Sequence, residues 1–517
     1  MVIKGITKQG EYFDSVSLMT VARALIETEG IVDAGVVMGT AENKSILQAS
    51  GLLVPEFEKT NDTDLLIGIK AETEEVIAQA IEQVETLLQA IRHKHSDTAD
   101  ILPRSIEGAL TLLPGANVAL ISVAGKYAAD EALKALKHGL HVMVFSDNVP
   151  LEREIELKTY AKAHDLLVMG PDCGTAIING VPLGFANMVN RGDIGIVAAS
   201  GTGLQEVSCV ISNAGAGIAQ AIGTGGRDVQ QEVGGIMFLE GLKALKDDDA
   251  TSVIVLVSKP PHEEVLEKIA TAVKEIAKPV VAVCIGADPE ILKNAGAIPA
   301  RTLEEAGLLA VALSQGKEVD TVKAFLEKRT EELKALAVEE AEKRHESQHY
   351  ISGLFSGGTL CDEAQLVLQE IVGNVYSNTP LEPEFKLEDS WKDREHTLLD
   401  LGEDEFTVGR PHPMIDFSLR KHRILEEARD SEVAVILLDM VLGYGAHPQP
   451  AEELVPVIKH AKTIAAQAGR YIDVICSITG TDNDPQIKSR IEHALKEVGA
   501  FVMPSNAAAS EFAGYIC

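Results

Sequence analysis

The sequence is short of positive charge, long apolar runs and aromatic residues, and each shortage excludes a class of protein. The formal net charge is −32 over 517 residues, and so acidic a surface repels nucleic acids and anionic membranes. No run of about 18 apolar residues appears, and the first residues lack the apolar core of a signal peptide. We therefore expect a cytoplasmic protein with neither a membrane nor a nucleic acid as partner.

The cysteines also lack any pattern. All six are scattered without the close spacing of zinc ligands, so reduced thiols and no metal site are expected. Aromatic residues make up 4% of the chain, whereas hydrophobic residues of all kinds make up 46%. A composition dominated by small aliphatic side chains favours parallel sheets covered by helices, and the length predicts several domains.

Hydrophobic patterns change along the chain and divide it into five segments. Residues 1–100 predict a small, ferredoxin-like α+β domain, and residues 101–190 alternate strands and helices in the manner of a Rossmann-like domain. Residues 191–316 and 347–517 predict two further domains of alternating strands and helices. Residues 317–346 are charged and helical, which is typical of a helical linker or of a packing helix. The chain as a whole is predicted to be an α/β protein.

The last two domains resemble each other. "IGIVAASGTGLQEVSCVISNAG" matches "ISGLFSGGTLCDEAQLVLQEI", "SVIVLVSKPPH" matches "VAVILLDMVLGYGAH", and "VVAVCIGADPE" matches "DVICSITGTDNDP", in the same order. Such an order indicates an internal duplication, and a duplicated unit predicts two similar domains that face each other across a site.

Two glycine-rich turns are the strongest candidates for that site. "ASGTGLQE" and "SGGTLCDE" each follow an apolar strand and open a helix, where small residues and unpaired N–H groups can hold an anion. Capped turns without a ligand are the alternative for either one. The residues predicted to bind phosphate are Ser200, Gly201, Thr202, Gly203, Ser356, Gly357, Gly358 and Thr359.

Two basic segments are candidates for catalysis. Gly225 and Gly226 precede Arg227, which is predicted to hold a carboxylate or phosphate, although an exposed arginine in a glycine turn explains it too. Arg410 and His412 lie in "GRPHP" at the matching place in the second half. The flanking prolines fix the backbone, which favours a catalytic or binding histidine, and the choice among acid, base and anion contact stays open. Lys259 also follows a strand, where a proline-rich turn is an equally good explanation.

These residues carry a family resemblance. "GPDCGTAIING" and the turn "ASGTGLQE" resemble the α-subunit of succinyl-CoA synthetase, and the chain from "SGLFSGGTLCDEA" onward is similar to the carboxyl-terminal domain of its β-subunit. Because "VMGTAENK", "VMVFSDNVPLEREI" and "DLGEDEFTVGRPHPMID" recur in order, the chain is identified as a member of the FdrA family. The resemblance implies a CoA-binding-type Rossmann-like domain and two flavodoxin-like, succinyl-CoA synthetase-type domains. It leaves CoA as a candidate cofactor, and no ATP-grasp domain is apparent.

The resemblance also implies an activity. In succinyl-CoA synthetase a phosphoryl-carrying histidine precedes Ala-Gly-Ala, but "KNAGAIPA" has Asn294 there, and an amide is neither nucleophilic nor basic. Ligase activity through a phosphohistidine is therefore not expected. Some FdrA members are oxamate carbamoyltransferases of allantoin degradation that work with two partner subunits.

We accordingly expect a carbamoyltransferase that converts oxalurate and phosphate to oxamate and carbamoyl phosphate. Phosphate is then a substrate, and Gly225, Gly226 and Asn294 are predicted to contact the substrates. Catalysis would come from positioning the reactants and stabilising charge at the glycine turns. The expected assembly is a hetero-oligomer with two partner subunits, or a homodimer. Two alternatives stay open: an acyl-CoA synthetase or CoA-linked acyl transfer, and a non-catalytic scaffold subunit.

Overall fold

The computed structural model describes residues 1–517 except 12, 14, 27, 29, 41–42, 45–46, 49, 95–102 and 408–410. The chain forms two compact units. The first comprises Met1–Gly115 with Asp404–Pro411, and the second comprises Ala116–Glu403 with His412–Cys517.

The first unit is built on an antiparallel sheet of order β1-β3-β2. Its elements are β1 (Val2–Lys8), α1 (Ser15–Ile26), β2 (Ile31–Met38), a 3₁₀ turn (Pro55–Lys59), β3 (Leu65–Ala71), α2 (Glu74–Lys94), α3 (Ile106–Leu112) and a short helix at Asp404–Thr407. Successive residues of a strand point to opposite faces. Ile67 and Ile69 of the central strand therefore join the core with the helices, and Leu66 packs on Phe57 from the other side.

The second unit begins with a parallel sheet of order β4-β5-β6. Its elements are β4 (Val118–Ile121), α4 (Gly125–Lys137), β5 (His141–Val144), α5 (Leu151–Ala163) and β6 (Val168–Met169). Gly139 follows α4 with a positive φ of 77°, the left-handed conformation in which glycine commonly ends a helix. The strand–helix alternation of the sequence is thus reproduced.

A seven-stranded sheet of order β13-β12-β11-β9-β10-β7-β8 follows. β9 to β13 are parallel to one another, whereas β7 and β8 form an antiparallel hairpin at one edge. The elements are β7 (Thr175–Ile178), β8 (Val181–Gly184), β9 (Arg191–Ala198), α6 (Gly201–Asn213), β10 (Ile218–Gly223), a 3₁₀ turn (Gly226–Val229), α7 (Ile236–Asp247), β11 (Val253–Ser258), α8 (Glu263–Val273), β12 (Val280–Cys284), α9 (Glu290–Asn294), β13 (Ile298–Pro299), α10 (Leu303–Ser314) and α11 (Asp320–Ala341).

The last sheet is entirely parallel, with the order β15-β16-β14-β17-β18-β19. Its elements are β14 (Tyr350–Phe355), α12 (Gly358–Val372), β15 (Tyr376–Ser377), a 3₁₀ turn (Pro383–Phe385), β16 (Thr397–Asp400), α13 (Ser418–Glu427), β17 (Val433–Val441), α14 (Pro450–Gln467), β18 (Asp473–Thr479), α15 (Lys488–Glu497), β19 (Phe501–Met503) and α16 (Asn506–Ile516).

The two large sheets repeat one topology. The parallel strands β10-β9-β11-β12-β13 and the strands β16-β14-β17-β18-β19 both run in the order 2-1-3-4-5, which is the flavodoxin-like order. The predicted α/β fold class and the internal duplication are therefore confirmed. One continuous apolar core spans both halves, and α11 contributes Val322, Leu333 and Ala337 to it, so this charged helix packs on the core.

Two buried glutamates join the halves in a pseudo-symmetric manner. Glu206 is the sixth residue of α6 and accepts a hydrogen bond from the N–H of Asn506, the first residue of α16 (3.2 Å). Glu363 is the sixth residue of α12 and accepts one from the N–H of Leu303, the first residue of α10 (2.6 Å). In each case a glutamate of one half accepts a hydrogen bond from the first backbone N–H of a helix in the other half. An acidic group is favourable at that position.

The Glu363 carboxyl makes stability depend on pH. Burial raises its pKa from 4.5 to about 8, so between these values the folded chain holds a proton that the unfolded chain has released. Stability therefore falls as pH rises through that window, by up to about 1.4 kcal/mol per pH unit for one proton. Glu363→Gln is expected to flatten this slope in thermal unfolding monitored by the fluorescence of Trp391, whereas Glu370→Gln on the exposed side of α12 keeps it. Identical slopes in both variants would contradict the assignment.

Candidate functional site

The two glycine-rich turns meet. Ser200 precedes α6 and Thr359 is the second residue of α12, and their hydroxyl oxygens lie 2.6 Å apart. Gly357 of the second turn also lies close to Thr202 of the first turn. A Cβ added to Gly357 would lie 2.9 Å from the Thr202 methyl group. Glycine thus allows the closest approach of the two helix starts. We call this place the junction: the two turns and the side chains at the start of α6 and α12.

The first turn is open at the junction. The Ser200 hydroxyl accepts from the N–H of Gly203 (2.9 Å) and so caps α6, as serine commonly does. Gly201 is exposed and Thr202 is half-buried. Their position at the first turn of a 13-residue helix leaves backbone N–H groups and the positive end of the helix dipole available to an anion.

The second turn already holds an anion of its own. The buried Asp439 carboxylate of β17 accepts from the N–H of Ser356 (2.8 Å), the Ser356 hydroxyl (3.0 Å) and the N–H of Gly357 (2.8 Å). Arg420 of α13, itself buried, forms an ion pair with the same carboxylate and donates to the Asp439 carbonyl at 2.7 Å. The donors of Ser356 and Gly357, predicted to bind phosphate, are thus used inside the protein, which leaves Gly358 and Thr359 at the junction.

A cation lies beside the junction. Lys259 follows β11, and its Nζ is 2.9 Å from Oδ2 of Asp362 on α12. The same Nζ would be 3.7 Å from a Cβ on Gly358, the first residue of that helix. Burial alone would lower the pKa of Lys259, but Asp362 and its other acidic neighbours outweigh it and the pKa is raised. Lys259 therefore stays charged at neutral pH, with its side chain 40% exposed.

His412 and Asp400 flank the other side of the junction. A Cβ on Gly402 would lie 2.8 Å from His412 Nε2 and 3.1 Å from Asp400 Oδ1, so both side chains face this glycine. Burial lowers the pKa of His412 to about 4, and its Nδ1 accepts from the N–H of Met414 (3.3 Å). We therefore assign a neutral imidazole with its proton on Nε2, which makes His412 a hydrogen-bond donor rather than a base.

Arg227 is paired with groups of the protein itself. Its guanidinium pairs with Glu154 of α5 at 2.9 Å and donates to the carbonyl of Val149 at 2.9 Å. Glu154 and Asp228 both contact the fully buried Lys158 (2.7 and 2.8 Å). Arg227 thus belongs to an ion cluster that fixes α5 against the seven-stranded sheet, and its catalytic role stays a prediction.

Four predicted residues remain: Gly225, Gly226, Asn294 and Arg410. Gly225 has a φ of 83° and a Cβ there would lie 2.4 Å from the carbonyl of Pro171, so close packing explains this glycine, and Gly226 begins the adjoining 3₁₀ turn. Asn294 ends α9 with its side chain exposed, and its contact with substrate stays a prediction. Arg410 lies outside the described residues.

Sequence reasoning missed the acidic members of the junction, Asp362, Asp400 and Asp439. One signal was present: Asp439 is a single carboxylate within the apolar run "VAVILLDMV". A charge in such a run is buried only with a partner, and Arg420 stands 19 residues away on a different element, which a sequence pattern does not reveal.

Three family models match the chain. Residues 354–516 match the family described as CoA-ligase, residues 189–286 match the CoA binding domain, and residues 1–101 match the AllF, heavy metal-associated domain. The CoA-binding match falls on the segment of the first turn rather than on residues 101–190, for which the resemblance had implied a CoA-binding-type domain. The fold and these matches define the class as succinyl-CoA synthetase-like proteins.

The particular family is FdrA, to which the chain belongs. It is 42% identical over 506 residues to "Uncharacterized protein YahF" of Escherichia coli K12, covering 98% of this chain and 97% of that protein. It is 29% identical over 174 residues to the succinate–CoA ligase α-subunit of Methanothermobacter thermautotrophicus. That match covers 33% of this chain and 58% of the ligase subunit, so the chain spans little more than half of that relative.

The likeness to solved structures is partial. ATP citrate lyase from Methanothrix soehngenii in complex with citrate and coenzyme A is 20% identical, with 41% of each chain covered and a TM-score of 0.36. A dinucleotide-forming acetyl-CoA synthetase from Ca. Korarchaeum cryptofilum is 13% identical, with 77% of this chain and 82% of that chain covered and a TM-score of 0.34. Neither carries a functional argument.

The comparisons correct the expected activity. One matched family is described as CoA-ligase, and several relatives are succinate–CoA ligase subunits, so the prediction of a carbamoyltransferase, with ligase chemistry not expected, is wrong. The alternative of CoA-linked acyl chemistry fits these findings better.

The described residues form neither a cluster of metal ligands nor a helix that could span a membrane. Residues 1–101 contain no cysteine, and nowhere in the described chain do three or more His, Cys, Asp or Glu side chains cluster as metal ligands would. Every helix in the described ranges is too short or too polar to cross a bilayer.

Proposed function

We propose that the protein transfers an acyl group between CoA and phosphate at the junction, which is the CoA-thioester half of a ligase-type reaction. One observation carries the proposal: the 2.6 Å contact of Ser200 and Thr359 brings together two helix N-termini. One comes from the segment that matches the CoA-binding family and the other from the segment that matches the CoA-ligase family.

The chemistry of the junction suits a phosphate nucleophile. The N-termini of α6 and α12 supply N–H groups and positive dipole ends, and Lys259 supplies a full charge, all of which favour an anion. A phosphate held there would attack the thioester carbonyl. As charge builds on that carbonyl oxygen, preorganised donors stabilise the transition state more than water does. The neutral His412 adds an Nε2–H donor nearby.

A phosphorolysis assay tests this function. The purified chain is incubated with short-chain acyl-CoA thioesters and phosphate, free thiol is measured, and acyl phosphate is trapped as the hydroxamate. Phosphate-dependent thiol release is expected. Thr359→Val removes one hydroxyl from the junction and is expected to slow the reaction about 10- to 100-fold, the loss of one hydrogen bond to a charged group.

Thr271→Val is the matched control, because this hydroxyl only bonds the Glu267 carbonyl on the exposed face of α8. Its rate is expected to equal that of the wild type. Absence of phosphate-dependent thiol release with every thioester would refute the proposal. ATP formation on addition of ADP would extend it to the complete ligase reaction.

A further inference from the structure

The Asp400 side chain is a buried carboxyl group with a glycine beside each of its two oxygens. This residue ends β16, is 3% exposed, and its main chain is held by the Asn378 side chain, which donates to the Asp400 carbonyl (3.0 Å) and accepts from its N–H (2.9 Å). A Cβ on Gly358 would lie 2.5 Å from Asp400 Oδ2, and one on Gly402 would lie 3.1 Å from Oδ1. Any other residue at either position would crowd the carboxyl.

The backbone conformation does not require a glycine at position 358 or at position 402. Neither Gly358 nor Gly402 is among the residues of positive φ, so an alanine could adopt either conformation. Space beside the carboxyl is the remaining reason for Gly358, and Gly402 leaves space for both His412 Nε2 (2.8 Å) and the carboxyl (3.1 Å). Gly358 is also the first residue of α12, next to Thr359, which places the Asp400 carboxyl at the junction itself.

Asp400 differs from the other carboxyl groups at the junction in its partners. Asp439 pairs with Arg420, and Asp362 pairs with Lys259, so both remain engaged with a cation. Within the described ranges, the hydrogen bond to the Asp400 carboxyl comes from the N–H of Gly402 (2.9 Å). The described charged and titratable groups that face it are Lys259, Asp362, Glu403, Cys361 and His412.

Burial and the opposing effects of these groups place the pKa of Asp400 near neutral pH. Burial raises its pKa from 3.8 to about 7, against the opposing effects of the Gly402 N–H and Lys259. His412 does not compete, since its pKa is lowered and it stays neutral. Groups that titrate near the working pH are the effective general acids and bases.

We propose that Asp400 exchanges the proton that acyl transfer moves at the junction, which rests on the proposed function. As a phosphate oxygen bonds to the thioester carbon and the C–S bond breaks, its electron pair goes to sulfur, and the Asp400 carboxylic acid gives that sulfur its proton. The resulting carboxylate takes up the proton that the hydrogen phosphate loses. The products are an acyl phosphate and the CoA thiol, and in reverse the carboxylate takes the thiol proton.

The test compares Asp400→Asn with the wild type and with Asp389→Asn, a control at an exposed Lys392 pair. Asp400→Asn is expected to lower the rate about 10²- to 10⁴-fold in both directions, with unchanged thermal stabilisation by CoA and by phosphate. Phosphate itself titrates near neutral pH, so the readout is the ratio of wild-type to variant rates. That ratio is expected to fall as pH rises through about 7 in phosphorolysis, and to rise with pH in the reverse reaction.

A second measurement is independent of activity. Infrared difference spectra of the unliganded chain are expected to show a protonated carboxyl band that disappears as pH rises through about 7 and that remains when the spectrum of Asp400→Asn is subtracted, because Glu363 and the other buried carboxyl groups contribute equally to both spectra. Full activity and an unchanged pH profile in Asp400→Asn, or no such band after this subtraction, would overturn the role of Asp400 alone. A wild type without phosphate-dependent thiol release would overturn the proposed function and this role with it.

Discussion

Lys259→Met is expected to lower kcat/KM for phosphate by about 10²- to 10³-fold, the usual effect of removing one preorganised charge or donor from the transition state. Lys259 Nζ lies 2.9 Å from Asp362 and beside the start of α12. Without this cation, an incoming phosphate would face Asp362 and Asp400 with only helix N-termini to hold it. The loss is measured from initial rates over a range of phosphate concentrations.

The Lys259–Asp362 pair also predicts an effect of opposite sign. Asp362→Asn frees Lys259 from its counter-charge while keeping a side chain of the same size, so KM for phosphate is expected to fall. Lys392→Met removes a lysine from an exposed pair with Asp389 at 2.7 Å, and its kinetics are expected to match those of the wild type because exposed pairs contribute little. An unchanged kcat/KM in Lys259→Met would show that phosphate binds without this residue.

The sequence predicted the folds and the meeting of the turns because both follow from local patterns. Alternating apolar strands and amphipathic helices specify parallel sheets, and two copies of one strand–turn–helix motif indicate a shared site. Ser200 and Thr359, separated by 159 residues, were thus identified together. Local patterns do not show whether a turn already binds a side chain of the protein. The N–H groups of the second turn bind the Asp439 carboxylate, whereas those of the first turn do not.

Arg227 and Asp400 show the same limit of local patterns. Arg227 was expected to bind substrate because it follows two glycines, but its partner Glu154 lies on α5 and is not visible in the local sequence. Asp400 is preceded by two leucines and followed by one in "LLDLG", and the space beside its carboxyl depends on Gly358, 42 residues earlier. Tertiary neighbours, rather than local spacing, decide whether a charged side chain is structural, catalytic or free to bind a ligand.

Arg420→Met is expected to destabilise the six-stranded half by about 3–5 kcal/mol, because it leaves the buried Asp439 carboxylate without its cation. The guanidinium contributes an ion pair and a 2.7 Å hydrogen bond to the Asp439 carbonyl. Trp391 is the single tryptophan of the chain, and its carbonyl accepts from Arg423 of α13, next to this cluster. Its fluorescence in urea therefore reports on this half without assuming that the whole chain unfolds in one step.

Two further variants separate loss of the charge pair from loss of packing. Arg429→Met removes an exposed arginine near the end of α13 and is expected to change stability by no more than about 0.5 kcal/mol. Combining Arg420→Met with Asp439→Asn removes both charges, so the double variant is expected to be more stable than Arg420→Met alone. If the double variant is instead less stable by the sum of the single effects, the two residues act independently. Asp439 would then hold the second turn through Ser356 and Gly357 without help from Arg420.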